Sequence, residues 1–389
     1  MKPFFELVAE DPGTGARAGI LHTDHGDVET PIFMPVGTQG TVKTQTPQEL
    51  LENRAQIILG NTYHLYLRPG GDLIQKAGGL HKFIGWPKAI LTDSGGYQVF
   101  SLSDLRKLSS EGVRFQSHVD GSKHLFTPEK VVEIQRQLGS DILMVLDECT
   151  PHDCTFEYAE KSHQLTIEWA KRSKDRFERT NPLYGYRQFQ FAINQGSTYK
   201  ELRQQNLEEL LKLDFDGYAI GGLAVGEPKS DLYGVTEFVA AQIPKNKPRY
   251  LMGVGKPEDL IEVIGRGIDM FDCVMPTRNA RNGTVFTRKG RMVIKNSTYK
   301  DDFRPIDETC TCATCRNFSR AYIRHLFSVG EVLALRLATY HNIHFYLDLV
   351  RQARKAILKG QYKEFRDEFY SNYQVIEVNQ TQKPVKRRK

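Results

Sequence analysis

From residue 32 onward the hydrophobic positions of this chain fall in short continuous runs, and each run is followed by a stretch with helical spacing. Eight runs recur: IFMPVG (32–37), QIILGN (56–61), AILTDSGG (89–96), DILMVLDE (141–148), FQFAINQG (189–196), GYAIGGLAVG (217–226), RYLMGVG (249–255) and MFDCVMP (270–276). Continuous apolar strands belong to parallel sheets covered on both faces, and strand–helix alternation supplies the crossovers that such sheets need. Eight units predict a (β/α)8 TIM barrel over 32–283, with a doubly wound open sheet as the competing α/β arrangement. Helix starts are marked by Thr46-Pro47, Thr127-Pro128 and Lys256-Pro257, where proline sits near the first helical position.

Other segments break this rhythm. Residues 1–31 hold short alternating runs separated by Gly and Asp turns, which predict an N-terminal antiparallel sheet. Between the third and fourth runs, GVRFQSHVDGSKHLFT alternates around Asp120-Gly121, a hairpin insertion at about 112–127. Residues 284–342 form a second insertion that opens with strand-like TVFTRKGRMVIKN. Helical spacing on a charged background returns over 343–378, and 379–389, ending KPVKRRK, reads as a basic, solvated tail or a phosphate contact.

Composition narrows the classes. With 53 Lys+Arg against 47 Asp+Glu the net charge is only +6, so a polyanion would be met by a local patch and not by a global field. The N-terminus MKPFFELVAEDPG lacks a signal-peptide core, and no window approaches the roughly 20 apolar residues of a membrane span. The expectation is a soluble, cytoplasmic protein without membrane contact. Six cysteines are too few for a disulfide framework, but three of them stand in CTCATC. Cys310, Cys312 and Cys315 bring three thiolates into one turn, and His341 completes a tetrahedral Cys3His site for one structural Zn2+ per chain, with His325 and His344 as alternatives by spacing. The second insertion is thus a zinc-binding subdomain.

Nearly every predicted strand ends in Gly or a polar group: Gly37-Thr38, Asn61-Thr62, Asp93-Ser94-Gly95-Gly96, Asp147-Glu148, Gln195-Gly196, Gly221-Gly222, Gly253 with Gly255, and Asp272. In a barrel that face carries the active site. The last run delivers Asp272 from an apolar strand and then breaks into a loop carrying Arg278 and Arg281, which suggests a phosphate-bearing partner. Asp93 and Asp272 facing one pocket suit glycosyl transfer through a covalent intermediate. By spacing they suit an aldolase, an isomerase or an ordinary glycosidase equally well.

The motifs TDSGGYQ (92–98), DECTP (147–151), GGLAVGE (221–227), FDCVMPTRNARNG (271–283) and CTCATC with His341 resemble, in order and over the whole length, the tRNA-guanine transglycosylases (queuine tRNA-ribosyltransferases) of bacterial type. The resemblance implies exchange of the wobble guanine of GUN-anticodon tRNAs (Asp, Asn, His, Tyr) for a 7-deazaguanine base in queuosine biosynthesis. Asp272 would be the nucleophile at C1′ and Asp93 the general acid/base. Asp147 would accept from the N1/N2 edge of guanine, with Gln195 and the Gly222 N–H at O6, and Tyr97 and Met252 on the ring faces. Ser94, Gly95, Gly96, Leu223 and Ala224 complete the implied base pocket. The resemblance assigns RNA contacts to Gly253, Val254, Gly255, Lys256, Pro257, Glu258 and Asp259 and to Thr277, Arg278, Asn279, Ala280 and Arg281, and implies a homodimer. Bacterial relatives take 7-aminomethyl-7-deazaguanine, whereas eukaryotic ones, with SGGE in place of Ala224-Val225-Gly226-Glu227, admit bulkier queuine. A non-catalytic tRNA-binding partner subunit is the alternative, and the presence of both aspartates argues against it.

Overall fold

The computed structural model describes residues 2–102 and 106–375. Its centre is a parallel sheet in the order Ile32–Met34, Met270–Asp272, Arg249–Leu251, Gly217–Ile220, Phe189–Asn194, Ile142–Met144, Ala89–Thr92, Ile57–Gly60, Val36–Gly37. The first and last of these are halves of one segment parted by Pro35, which has no N–H to give a ladder. One half pairs with the final strand (Met270↔Ile32, Asp272↔Met34) and the other with the second (Val36↔Leu59), while the Pro35 carbonyl accepts from Leu59 N at 3.0 Å. The sheet ends meet there, giving eight strand positions in a ring and removing the open-sheet alternative.

The strands within these runs are buried, as in Ile57–Gly60, Phe189–Asn194 and Gly217–Ile220. Capping residues set the helices behind them. Thr46 makes a reciprocal box with Glu49 at the start of Pro47–Glu52, and Thr127 accepts from Lys130 N at the start of Pro128–Leu138. Among the described residues no helix is long and apolar enough to cross a membrane.

The N-terminal sheet forms as expected, with strands Phe5–Glu10, Arg17–Thr23 and Gly26–Thr30 in that order. The insertion before the fourth barrel strand is larger than a hairpin: Arg106–Ser109 joins Gly112–Gln116 and Lys123–Phe126 in a three-stranded sheet. Its first strand lies ahead of the alternating stretch and carries two basic residues in four, so periodicity did not separate it from a loop.

Two boundaries differ from expectation. The chain after Asp272 is not a loop: Met275–Arg281 is a helix with Pro276 in its first turn. The expected division at 342/343 falls inside one helix, Val332–Leu358, so His341 and the C-terminal helices share a rigid element. That helix lays its later half on the barrel core and its first half on a separate cluster containing Val285, Ile294, Ile306, Ile323 and Leu326. The basic tail at 379–389 lies outside the described residues.

Candidate active site and metal centre

The third barrel strand, Ala89–Thr92, delivers Asp93, whose carboxylate is tied to the end of the second. Oδ1 accepts Thr62 N at 2.8 Å and Oδ2 accepts the Asn61 amide. Burial nevertheless pushes the carboxyl up to about 7; the two hydrogen bonds oppose that rise and the charge of Asp272 adds to it. Asp272 ends the eighth strand, and its Oδ1 accepts Tyr250 OH at 2.6 Å and Gly253 N at 3.0 Å. Desolvation raises this carboxyl as well, against both donors.

A third carboxylate completes the floor. Asp147 accepts Ser94 Oγ at 3.1 Å on Oδ1 and Gln195 Nε2 at 2.7 Å on Oδ2, and burial pushes it up to about 6. Gln195 Oε1 is buried without a hydrogen-bond partner. Gly222 presses against it: a Cβ there would lie 2.4 Å from Oε1, and the backbone is left-handed at φ +65°. Only glycine fits both conditions.

These groups line one cavity of 470 Å³ at the C-terminal ends of the strands. Asp93, Ser94, Gly95, Gly96, Tyr97, Asp147, Gln195, Gly222, Leu223, Ala224, Met252 and Asp272 all border it, with Val225, Gly253 and Arg278 at its edge. Tyr97 is 51% exposed. Two thiols on the wall are pushed up by burial, Cys149 to about 12 and Cys273 to about 11, which keeps them in the neutral form.

Comparison with known proteins places this sequence in one family. The sequence model described as Queuine tRNA-ribosyltransferase covers residues 11–375. The queuine tRNA-ribosyltransferase of Caldanaerobacter subterraneus subsp. tengcongensis is 58% identical over 369 residues, 95% of this chain and 97% of its own. Those of Halothermothrix orenii and Fusobacterium nucleatum subsp. nucleatum are each 54% identical, over 95% and 94% of this chain and 97% of their own lengths. The chain belongs to the queuine tRNA-ribosyltransferase family. It is by that membership a pentosyltransferase.

Around the mouth, the residues assigned to RNA divide by burial. Gly253, Lys256 and Arg278 are exposed and Glu258, Asn279 and Arg281 partly so. Val254, Gly255, Pro257, Asp259, Thr277 and Ala280 are buried and can shape only the backbone of this rim. Asp259 is held inward by Tyr233 OH at 2.7 Å and Lys229 Nζ at 2.8 Å. Arg288, Lys289, Arg291 and Arg316 are exposed, and Arg288 pairs with Asp348 at 3.2 Å.

Sequence reasoning passed over two residues of the site. Tyr250 lies inside an apolar run, where a tyrosine ordinarily reads as core packing, and His64 stands on a short helix without a motif. His64 borders the cavity and is held below the ordinary histidine range by burial and by the neighbouring His118 and Lys43.

The second insertion gathers its predicted ligands. The Sγ atoms of Cys310, Cys312 and Cys315 lie 3.7, 3.6 and 3.3 Å from His341 Nδ1. His341 Nε2 is 2.7 Å from the Phe286 carbonyl, so the proton resides there and the Nδ1 lone pair faces the sulfurs. Four ligand atoms within 4.8 Å of one another, three of them thiols, fit tetrahedral Zn2+. Of the alternative histidines, His344 is engaged with Asn53 at 3.0 Å and His325 is exposed.

Proposed function

We propose that this enzyme exchanges the wobble guanine of GUN-anticodon tRNAs (Asp, Asn, His, Tyr) for 7-aminomethyl-7-deazaguanine in queuosine biosynthesis, by two displacements at C1′ of the ribose. The observation that carries this reading is the convergence of Asp93, Asp272 and the Asp147–Gln195 pair on one cavity. Asp272 attacks C1′ as the C1′–N9 bond breaks, forming an aspartyl–ribose ester, and the departing guanine takes a proton. The incoming base then loses its N9 proton and attacks C1′, which frees Asp272. Asp93, with both forms populated near neutral pH, serves as the donor in the first half and the acceptor in the second. Two inversions retain the anomeric configuration.

The free pocket is already paired within itself. Guanine supplies donors at N1 and N2 and an acceptor at O6, so its edge replaces Gln195 as donor to Asp147 and releases Gln195 Nε2 toward O6. Adenine lacks the N1 and N2 donors and would leave the buried carboxylate unpaired. The amides of Ala224, Val225 and Gly226 are occupied by the Glu227 carboxylate, at 3.0 Å for Val225 and 3.2 Å for Gly226, so carbonyls are what this loop offers an aminomethyl ammonium.

The nucleotide must be turned out of the anticodon loop to reach this depth. Lys256 and Arg278 on the rim supply the cations for its flanking phosphates. The Cys3His group would hold one Zn2+ that ties the insertion to helix Val332–Leu358, with no open position for chemistry. Family resemblance supports a homodimer and a cytoplasmic setting.

The test uses purified protein, GUN-anticodon tRNA and labelled guanine. Incorporation of label and a covalent adduct on denaturing gels, both lost in Asp272→Asn, are expected. Binding of tRNA without exchange by the wild type would instead favour a non-catalytic partner subunit.

A further inference from the structure

Behind the floor of the catalytic cavity, Arg203 stands in the first turn of the helix Lys200–Lys212 and is fully buried. It does not itself border the cavity. Its place is a costly one for a cation. The guanidinium is taken wholly out of water, the hydrogen bonds it donates go to carbonyl and amide oxygens and none to a carboxylate among the described residues, and a positive charge at a helix N-terminus opposes the macrodipole. Burial lowers it to about 10, so it stays protonated at neutral pH. A packed apolar side chain would fill this position at lower cost.

The guanidinium gathers the ends of two neighbouring barrel strands. Nε donates to Ser197 O at 2.8 Å, Nη1 to Asn194 O at 2.6 Å and Nη2 to Gly221 O at 2.8 Å. Asn194 O also accepts Gly221 N at 3.1 Å, which locks the end of Phe189–Asn194 to the turn after Gly217–Ile220. In a trans peptide the C=O and the following N–H point in opposite directions. With Gly221 O drawn back to Arg203, the Gly222 N–H is turned forward and faces the Cys149 sulfur on the cavity wall. The cation is close behind, since a Cβ on Gly222 would lie 3.6 Å from Nη2. A charged donor on the carbonyl also polarises the peptide and strengthens its N–H as a donor.

We propose that Arg203 is a positioning residue for recognition of the 6-oxo group of the base, acting through the Gly221–Gly222 peptide. The inference rests on the guanine-exchange reading above, with O6 at the Gly222 N–H. An oxygen at position 6 accepts from the aimed and polarised N–H, whereas a 6-amino group would set donor against donor beside a buried cation. Asp147 reads the N1/N2 end of the same edge, so the two residues act on different atoms of the base.

Calorimetric titration of the full chain with guanine, 6-thioguanine and hypoxanthine reads the two ends separately and needs no turnover. Sulfur at position 6 is the weaker acceptor, while hypoxanthine keeps O6 and loses the 2-amino donor to Asp147. In the wild type each change is expected to weaken binding by about tenfold. Arg203→Gln should lose most of the preference for guanine over 6-thioguanine and keep that over hypoxanthine; Arg203→Lys, which retains the charge without the fork, should fall between. A merely structural role would loosen the pocket and lower both ratios together, which would overturn the assignment. So would a wild type indifferent to the sulfur, or an unchanged guanine-to-thioguanine ratio in Arg203→Lys, the variant that carries the test should Arg203→Gln fail to fold. A wild type that binds no guanine would sink the proposed function itself, whereas guanine binding with unmoved ratios sinks this inference alone.

Discussion

The phenol of Tyr250 donates to Asp272 Oδ1 at 2.6 Å across adjacent barrel strands, joined in register by Tyr250↔Met270 and Leu251↔Phe271. Tyr250 is fully buried, and burial together with the Asp272 charge pushes its own ionisation far up, so it remains a neutral donor throughout the working pH range. It therefore biases Asp272 toward its ionised form, the form the proposed attack on C1′ requires, against the desolvation that raises it.

Replacing Tyr250 with Phe removes that bias without emptying the site. A hydrogen bond to a charged group is worth about 1.5–3 kcal/mol, on the order of one to two pH units of carboxylate titration. Adduct formation with tRNA should then lose its acid limb at a pH higher by about one unit, while the plateau above it falls less than tenfold. Single-turnover rates across pH would show this. An unmoved limb would mean that the limb does not report Asp272.

Asp147 links recognition to stability. Its carboxyl is raised to about 6 from 3.8, so between those values the folded state binds more protons than the unfolded chain. That proton uptake stabilises the fold below pH 3.8 and is lost as pH rises through 6, which makes the ionised group a cost at neutral pH. Asp147→Asn should therefore melt higher than wild type at pH 7.5, by on the order of 2 kcal/mol, and lose this advantage at pH 4. Gln195 Oε1, unpartnered in the wild type, is available to the new amide. The same variant should bind guanine at least tenfold more weakly, because the double acceptor at the N1/N2 edge is gone. Melting curves and guanine KM on one preparation test both halves.

Metal removal should act on the insertion before the barrel. The four residues that fit Zn2+ come from the segment around Cys310–Cys315 and from His341 on the helix Val332–Leu358, whose other half packs on the barrel core. Strong chelation is expected to open 284–331 to hydrogen exchange while the barrel strands stay protected, and to weaken tRNA binding more than guanine exchange into prebound tRNA. Uniform loss of protection would show that the two cores unfold as one.

What could be read from sequence was set by periodicity and by rare residue types. Eight buried-type runs and their glycine or acid ends placed Asp93, Asp147, Gln195 and Asp272 on one face, because strand direction alone fixes which end carries them. Three cysteines in six positions marked the candidate metal group, though spacing left the histidine open until the Phe286 carbonyl oriented His341. The helix after Asp272 was missed because its polar composition resembles a loop, and its one strong signal was Pro276. Burial of Asp259 was missed for a different reason: its partners Tyr233 and Lys229 lie on the preceding helix Lys229–Ala240, which no local pattern contains.

Val225 offers the sharpest test of base preference. It borders the cavity in the loop whose amides Glu227 holds, beside the left-handed Ala224 at φ +59°. Under the proposed function its branched side chain would take up volume toward position 7 of the base, leaving a bulkier substituent no room without displacing it. Val225→Gly should raise kcat/KM for queuine relative to 7-aminomethyl-7-deazaguanine by at least tenfold, the scale on which a pocket discriminates by a methylene or more. Val225→Ala should fall between. The loop then carries adjacent glycines with Gly226, so ordering it costs about 0.5–1 kcal/mol more and KM for the smaller base should rise slightly. If both variants keep the wild-type ratio while binding the smaller base normally, preference resides elsewhere on the cavity wall.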